Sequence, residues 1–195
     1  MALQLVGISG SLRRHSYNAG LLRAAQAAMP EGTSLAIHSI AGVPLYNADV
    51  EAEGIPDAVT VLKEAVVEAD GLLLVTPEYN NGVPGVFKNA IDWMSRPGSD
   101  IPRVFGGKPV ALIGASPGGF GTILSQNGWL PTLRTLGTEL WTGGRLMVAK
   151  AGSVFDEEGN LVDDAIREQL ALFVAAFAES ILEDPGKENS IPKII

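Results

Sequence analysis

The chain has 195 residues, 46% apolar and 18% charged, enough for a full two- or three-layer core and far from the composition of a disordered chain. Its formal charge of −8 argues against a broad nucleic-acid surface, yet a small anion needs only backbone N–H groups and one arginine. Cysteine is absent, which excludes disulfides, thiolate nucleophiles, Fe–S clusters and Cys-ligated zinc, and no metal site is expected.

Met1–Val6 enters a strand-like run with no basic segment before it, so no signal peptide is expected. No apolar run is long enough to span a bilayer, and a cytoplasmic location fits the missing cysteines. Leu3–Ile8 reads as a central strand ending at Ser9-Gly10-Ser11. Ser16 precedes a helix whose stripe is Leu21, Leu22, Ala24, Ala25 and Ala28, stopped at Met29–Gly32. Leu35–Ile40 fits an outer strand, and Ala41–Asp57 reads as loop. Val59, Leu62, Val66 and Val67 recur at helical spacing. Gly71–Thr76 is an unbroken apolar run, as in a parallel strand covered on both faces.

A third helix is expected from about Val86 to Ser95. Val110–Ala115 repeats the buried-strand signature, and a fourth helix follows as far as about Leu136. Thr138–Trp141 and Leu146–Ala149 both suit a fifth strand near the edge. Asp164–Leu182 is a final helix with Ile166, Leu170, Phe173, Val174, Phe177 and Ile181 on one side, before a tail over 185–195. No repeat or linker divides the chain, so 1–195 is expected to be a single α/β domain built on a doubly wound parallel sheet.

Ligands of such sheets bind beyond the carboxyl ends of the strands. Three loops follow buried strands there: Ser9–Asn18, Pro77–Gly85 and Ser116–Gly121. The first offers the hydroxyls of Ser9, Ser11 and Ser16, the cations Arg13 and Arg14, and Asn18, all just before a helix N-terminus. It has neither the dinucleotide fingerprint nor a P-loop ending, and helix capping by Ser16 beside a solvated Arg13-Arg14 pair is the plainer alternative. In the second, Pro77 and Pro84 stiffen the backbone around an Asn81-Gly82 turn pair, and Tyr79 can face a flat ring or plain solvent. The glycines of the third permit close backbone approach to a ligand or merely tight packing.

Three segments together carry a family resemblance: Gly10-Ser11-Leu12-Arg13…Ser16-x-Asn18, Pro77-Glu78-Tyr79-Asn80…Pro84-Gly85-x-Phe87-Lys88-Asn89-Ala90-Ile91-Asp92-Trp93, and Gly118–Gly121. Over about residues 3–180 the sequence resembles the NADPH-dependent FMN reductase family, the flavodoxin-like group that includes bacterial quinone and chromate reductases. The resemblance implies a three-layer sandwich with a five-stranded parallel sheet in the order 2-1-3-4-5. It also implies tightly bound FMN, NADPH or NADH as co-substrate, and a homodimer or homotetramer. It places Ser9, Ser11, Arg13, Ser16 and Asn18 around the FMN phosphate, and Pro77, Glu78, Tyr79 and Asn80 beside the isoalloxazine. Ser116, Gly118 and Gly119 close the other side.

One region departs from the family pattern. Leu124 stands where an arginine is common, two residues before Gln126, and Asn127-Gly128 replaces the aromatic that follows it. The resemblance implies that this region faces the substrate cleft and subunit contacts. Trp93, Trp129 and Trp141 suit either the cleft, an interface or the core, and His15 and His38 suit surface positions. A Glu78–Asp92 pairing is open on spacing alone.

The expected activity is ping-pong electron transfer from reduced nicotinamide through flavin N5 to quinones or similar small acceptors, possible ones including chromate, azo compounds and free flavin. No side chain is expected to act as catalyst. The alternatives are a flavodoxin-like electron carrier for protein partners and a non-catalytic flavin-binding redox sensor.

Overall fold

The structure, a computed structural model, describes residues 2–183. The tail expected over 185–195 lies outside the described residues. A parallel sheet is built from β1 (Leu3–Ser9), β2 (Thr33–His38), β3 (Gly71–Val75), β4 (Pro109–Ala115), β5 (Glu139–Leu140) and β6 (Leu146–Val148). Its order is β2-β1-β3-β4-β5, with β6 also on β4, which is the flavodoxin-like 2-1-3-4-5 arrangement.

The central strands are apolar on both faces because helices cover both. Leu73 and Val75 point to one side, where they join Leu3, Leu5 and Ile113 beneath α1 (Tyr17–Ala27) and α7 (Asp164–Leu182). Leu72 and Leu74 point to the other, with Val6, Ile8 and Leu112, beneath α3 (Asp57–Glu68), α4 (Gly85–Met94) and α6 (Ile123–Leu136). This is the period of two expected when a strand runs between two helical layers.

The expected fifth strand is two half-strands on one side of β4. β5 pairs with Pro109–Val110 and β6 with Ile113–Ala115. Between them Trp141 donates its backbone N–H to Val110, and its ring packs edge-on against Phe173 of α7 at 4.9 Å. Two short helices lie where no helix was expected, α2 (Ala48–Glu53) and α5 (Ile101–Val104). The helix α2 buries no residue, so it has no apolar period. Its signals are the Asn47 cap on Asp49 N–H at 2.9 Å and the acidic first turn.

Candidate active site

Parallel pairing brings the three loops to the carboxyl end of the sheet. Ser9 ends β1 opposite Val75, which in turn lies opposite Ile113. Backbone bonds continue the pattern past the strand ends: Gly10 N–H reaches Val75 O at 2.9 Å, Thr76 N–H reaches Ile113 O at 2.8 Å, and Ser116 N–H reaches Val148 O at 3.0 Å.

In the first loop each serine oxygen accepts a main-chain N–H. Ser9 Oγ takes that of Ser11 at 3.4 Å, Ser11 Oγ that of Arg13 at 3.4 Å, and Ser16 Oγ that of Ala19 at 3.3 Å. Ser16 is thus the N-cap of α1, and capping and ligand binding are compatible, because all three O–H groups lack an acceptor among the described residues. Neither Arg13 nor Arg14 forms an ion pair among the described residues. Gly10 lies so close to α4 that a Cβ there would fall 2.2 Å from the Phe87 ring, so only glycine lets this loop seat.

Asn18 is buried and turned toward the protein. Its Nδ2 donates to Ala115 O at 2.8 Å, and its Oδ1 accepts from Ala115 N at 2.9 Å. The side chain therefore clasps the first loop to the end of β4 and leaves one amide hydrogen for any ligand.

The second loop is a tight hairpin. Tyr79 and Gly82 exchange both backbone bonds, at 3.0 and 3.1 Å, around Asn80 and Asn81, whose φ values are 49° and 60°. The turn centre is Asn80-Asn81, one residue earlier than the Asn81-Gly82 pair suggested, because asparagine tolerates the left-handed region nearly as a glycine does. Pro77 and Pro84 are buried at its base, and Tyr79 is exposed. Glu78 Oε2 accepts N–H from Leu124 at 2.9 Å and from Ser125 at 3.0 Å, so its carboxylate caps α6, whose own Thr122 does not. Glu78 and Asp92 are not paired, since Asp92 bonds Lys88 at 2.7 Å.

Sequence reasoning missed the joint beneath this loop. Buried Thr76 Oγ1 lies 2.8 Å from Ser125 Oγ, accepts Trp129 Nε1–H at 3.1 Å and donates to Pro77 O at 2.9 Å. Trp129 and Trp93 are core residues, with no exposure, and Trp141 is half-buried against α7. No local pattern marks Thr76 or Ser125, whose partners meet only in the fold.

In the third loop Ser116 Oγ donates to Gly121 O at 2.7 Å and accepts from Gly118 N at 3.2 Å. Gly121 has φ 62° and returns the chain into α6. The N–H groups of Glu78, Asn80, Gly119 and Phe120 have no acceptor among the described residues. The same three loops and the start of α6 carry the exposed apolar or aromatic residues Leu12, Tyr79, Phe120, Ile123 and Leu124. Two concavities, of about 450 and 400 Å³, lie elsewhere, between the β1–β2 edge and α3 and between α1 and α7. The loop cluster instead carries hydroxyl groups and arginines in its first loop and backbone N–H groups without an acceptor, among the described residues, in its second and third.

The sequence matches the NADPH-dependent FMN reductase family over residues 3–153. It is 45% identical over 166 residues to an NAD(P)H-dependent FMN reductase of Pseudomonas aeruginosa, covering 85% of this chain and 88% of that protein. A 2-hydroxy-1,4-benzoquinone reductase of a Burkholderia species is 38% identical over 178 residues, 91% of this chain and 96% of the relative. Among solved structures, the flavoenzyme NAD(P)H:(acceptor) oxidoreductase FerB from Paracoccus denitrificans superposes with a TM-score of 0.82 at 32% identity, covering 93% of this chain and 98% of that one. The chain belongs to the NADPH-dependent FMN reductase family, and it is an FMN-dependent NAD(P)H oxidoreductase of flavodoxin-like fold.

Proposed function

We propose that this enzyme passes electrons from NADPH or NADH through FMN to quinones or similar small acceptors, one substrate leaving before the next arrives. The observation that carries the reading is the set of unspent donors beyond the carboxyl ends of the strands: among the described residues, three serine O–H groups and two arginines without an ion pair in the first loop, and backbone N–H groups without an acceptor, those of Glu78, Asn80, Gly119 and Phe120 among them, in the other two. A monophosphate needs the former and the carbonyl edge of a heteroaromatic ring the latter, so these loops fit FMN.

Bound there, FMN supplies the hydride and electron chemistry, and the protein supplies binding, orientation and electrostatics. We assign Ser9, Ser11, Arg13 and Ser16 to the phosphate, with Asn18 fixing their loop against Ala115. Pro77, Glu78, Tyr79 and Asn80 border the ring on one side, and Ser116, Gly118 and Gly119 on the other. Glu78 acts by holding the second loop to α6, while the N–H groups of Glu78 and Asn80 face charge that develops on the ring. No side chain takes a catalytic role in this scheme.

The exposed apolar residues Val86 on α4 and Leu45 and Tyr46 beside it support a homodimer or homotetramer joined along α4. No helix among the described residues is long and apolar enough to cross a membrane, and we place the enzyme in the cytoplasm as one FMN-binding domain. Initial rates with NADPH and a benzoquinone test the reading. Parallel double-reciprocal lines are expected, and intersecting lines or no pyridine-nucleotide oxidation would defeat it.

A further inference from the structure

The residue between Ser16 and Asn18 has no part in the scheme above. Tyr17 opens α1, and the Arg13 guanidinium carbon stands 4.6 Å from the centre of its ring. Phe155 packs against the same ring at 5.1 Å, and Phe155 itself is buried. The segment leading to Phe155 is tied to the third loop, through Lys150 N–H to Gly118 O at 2.9 Å and Ala151 N–H to Ser116 O at 3.0 Å. The aromatic pair therefore rests on the same frame as the rest of the site.

Arg13 has no carboxylate partner among the described residues, although the chain holds 22 acidic side chains. An aromatic face attracts a guanidinium without neutralising it and without consuming its N–H donors. A carboxylate in the same place would compete with phosphate for both. An exposed arginine that is already placed loses less freedom when an anion arrives.

We propose that Tyr17 is a positioning residue for the phosphate end of FMN, its ring holding Arg13 in the first loop with the charge and donors unspent. The proposal rests on the assignment of Arg13 to that phosphate. It is tested by titrating the apoprotein with FMN and with riboflavin, which lacks the phosphate, and following flavin fluorescence. The proteins are wild type, Tyr17→Phe, Tyr17→Leu, Tyr17→Met, Arg13→Ala and Arg13→Ala/Tyr17→Leu, each checked for a cooperative melt.

Tyr17→Leu and Tyr17→Met should weaken FMN roughly two- to fivefold, the range of an exposed cation–π contact, and leave riboflavin unchanged. Tyr17→Phe should match wild type, and Tyr17→Leu should add nothing to Arg13→Ala. Equal losses for FMN and riboflavin, a loss that adds to that of Arg13→Ala, or no loss at all would overturn the role of Tyr17. An Arg13→Ala protein with undiminished FMN affinity would remove the phosphate assignment beneath it, and the proposal with it.

Discussion

Both amide atoms of Asn18 are engaged with the backbone of Ala115, one as donor and one as acceptor. Replacing Asn18 with alanine strands a buried N–H and a buried C=O, each costing about 1–3 kcal/mol. The Asn18→Ala apoprotein should therefore lose about 2 kcal/mol or more in urea unfolding. A loss below about 0.5 kcal/mol would show that the clasp is not holding the loop. The grouping of the three serines and Arg13 was readable because it is local, within ten residues of one helix start. The engagement of Glu78 was not, because the N–H groups it caps lie 46 and 47 positions away.

Among the elements, the long ones were legible and the short ones were not. Asp164–Leu182 has a continuous apolar side and an Asp163 cap, and it forms the helix α7 over those residues. The two halves of the fifth strand carry three and two residues, too few for a pattern to say how they divide one edge. The joint between the second loop and α6 is likewise a product of the fold. Thr76→Val keeps the shape of the side chain but leaves Ser125 Oγ and Trp129 Nε1 without their buried partner. It should cost about 2 kcal/mol or more in apoprotein stability and loosen FMN binding together with it. Unchanged hydrogen exchange at the start of α6 would contradict that coupling.

At the scale of the molecule, a charged knot far from the loops ties α3 to α5. Lys63, 4% exposed, lies 2.5 Å from Asp100, which also accepts from Arg103, itself bonded to Glu64. Hydrogen bonds from Arg103 and then Lys63 hold the Asp100 carboxyl well below the usual carboxylate range, against a smaller opposing effect of burial. A carboxylate with a lowered folded pKa adds stability above its unfolded pKa of about 4 and loses it as pH falls toward the folded value. Asp100→Asn should therefore lower Tm at pH 7, and the gap from wild type should narrow below about pH 4. A gap independent of pH would mean that packing, not charge, accounts for it.

The same sheet that packs between the two helical layers presents the first, second and third loops at its carboxyl end. The absorption spectrum of the purified, FMN-reconstituted protein, followed without oxygen, tests most directly what those loops hold. A flavin band is expected that bleaches on adding NADPH or NADH and returns on adding a quinone. A colourless protein that FMN cannot reconstitute, or a flavin band that reduced nicotinamide leaves untouched, would contradict that expectation.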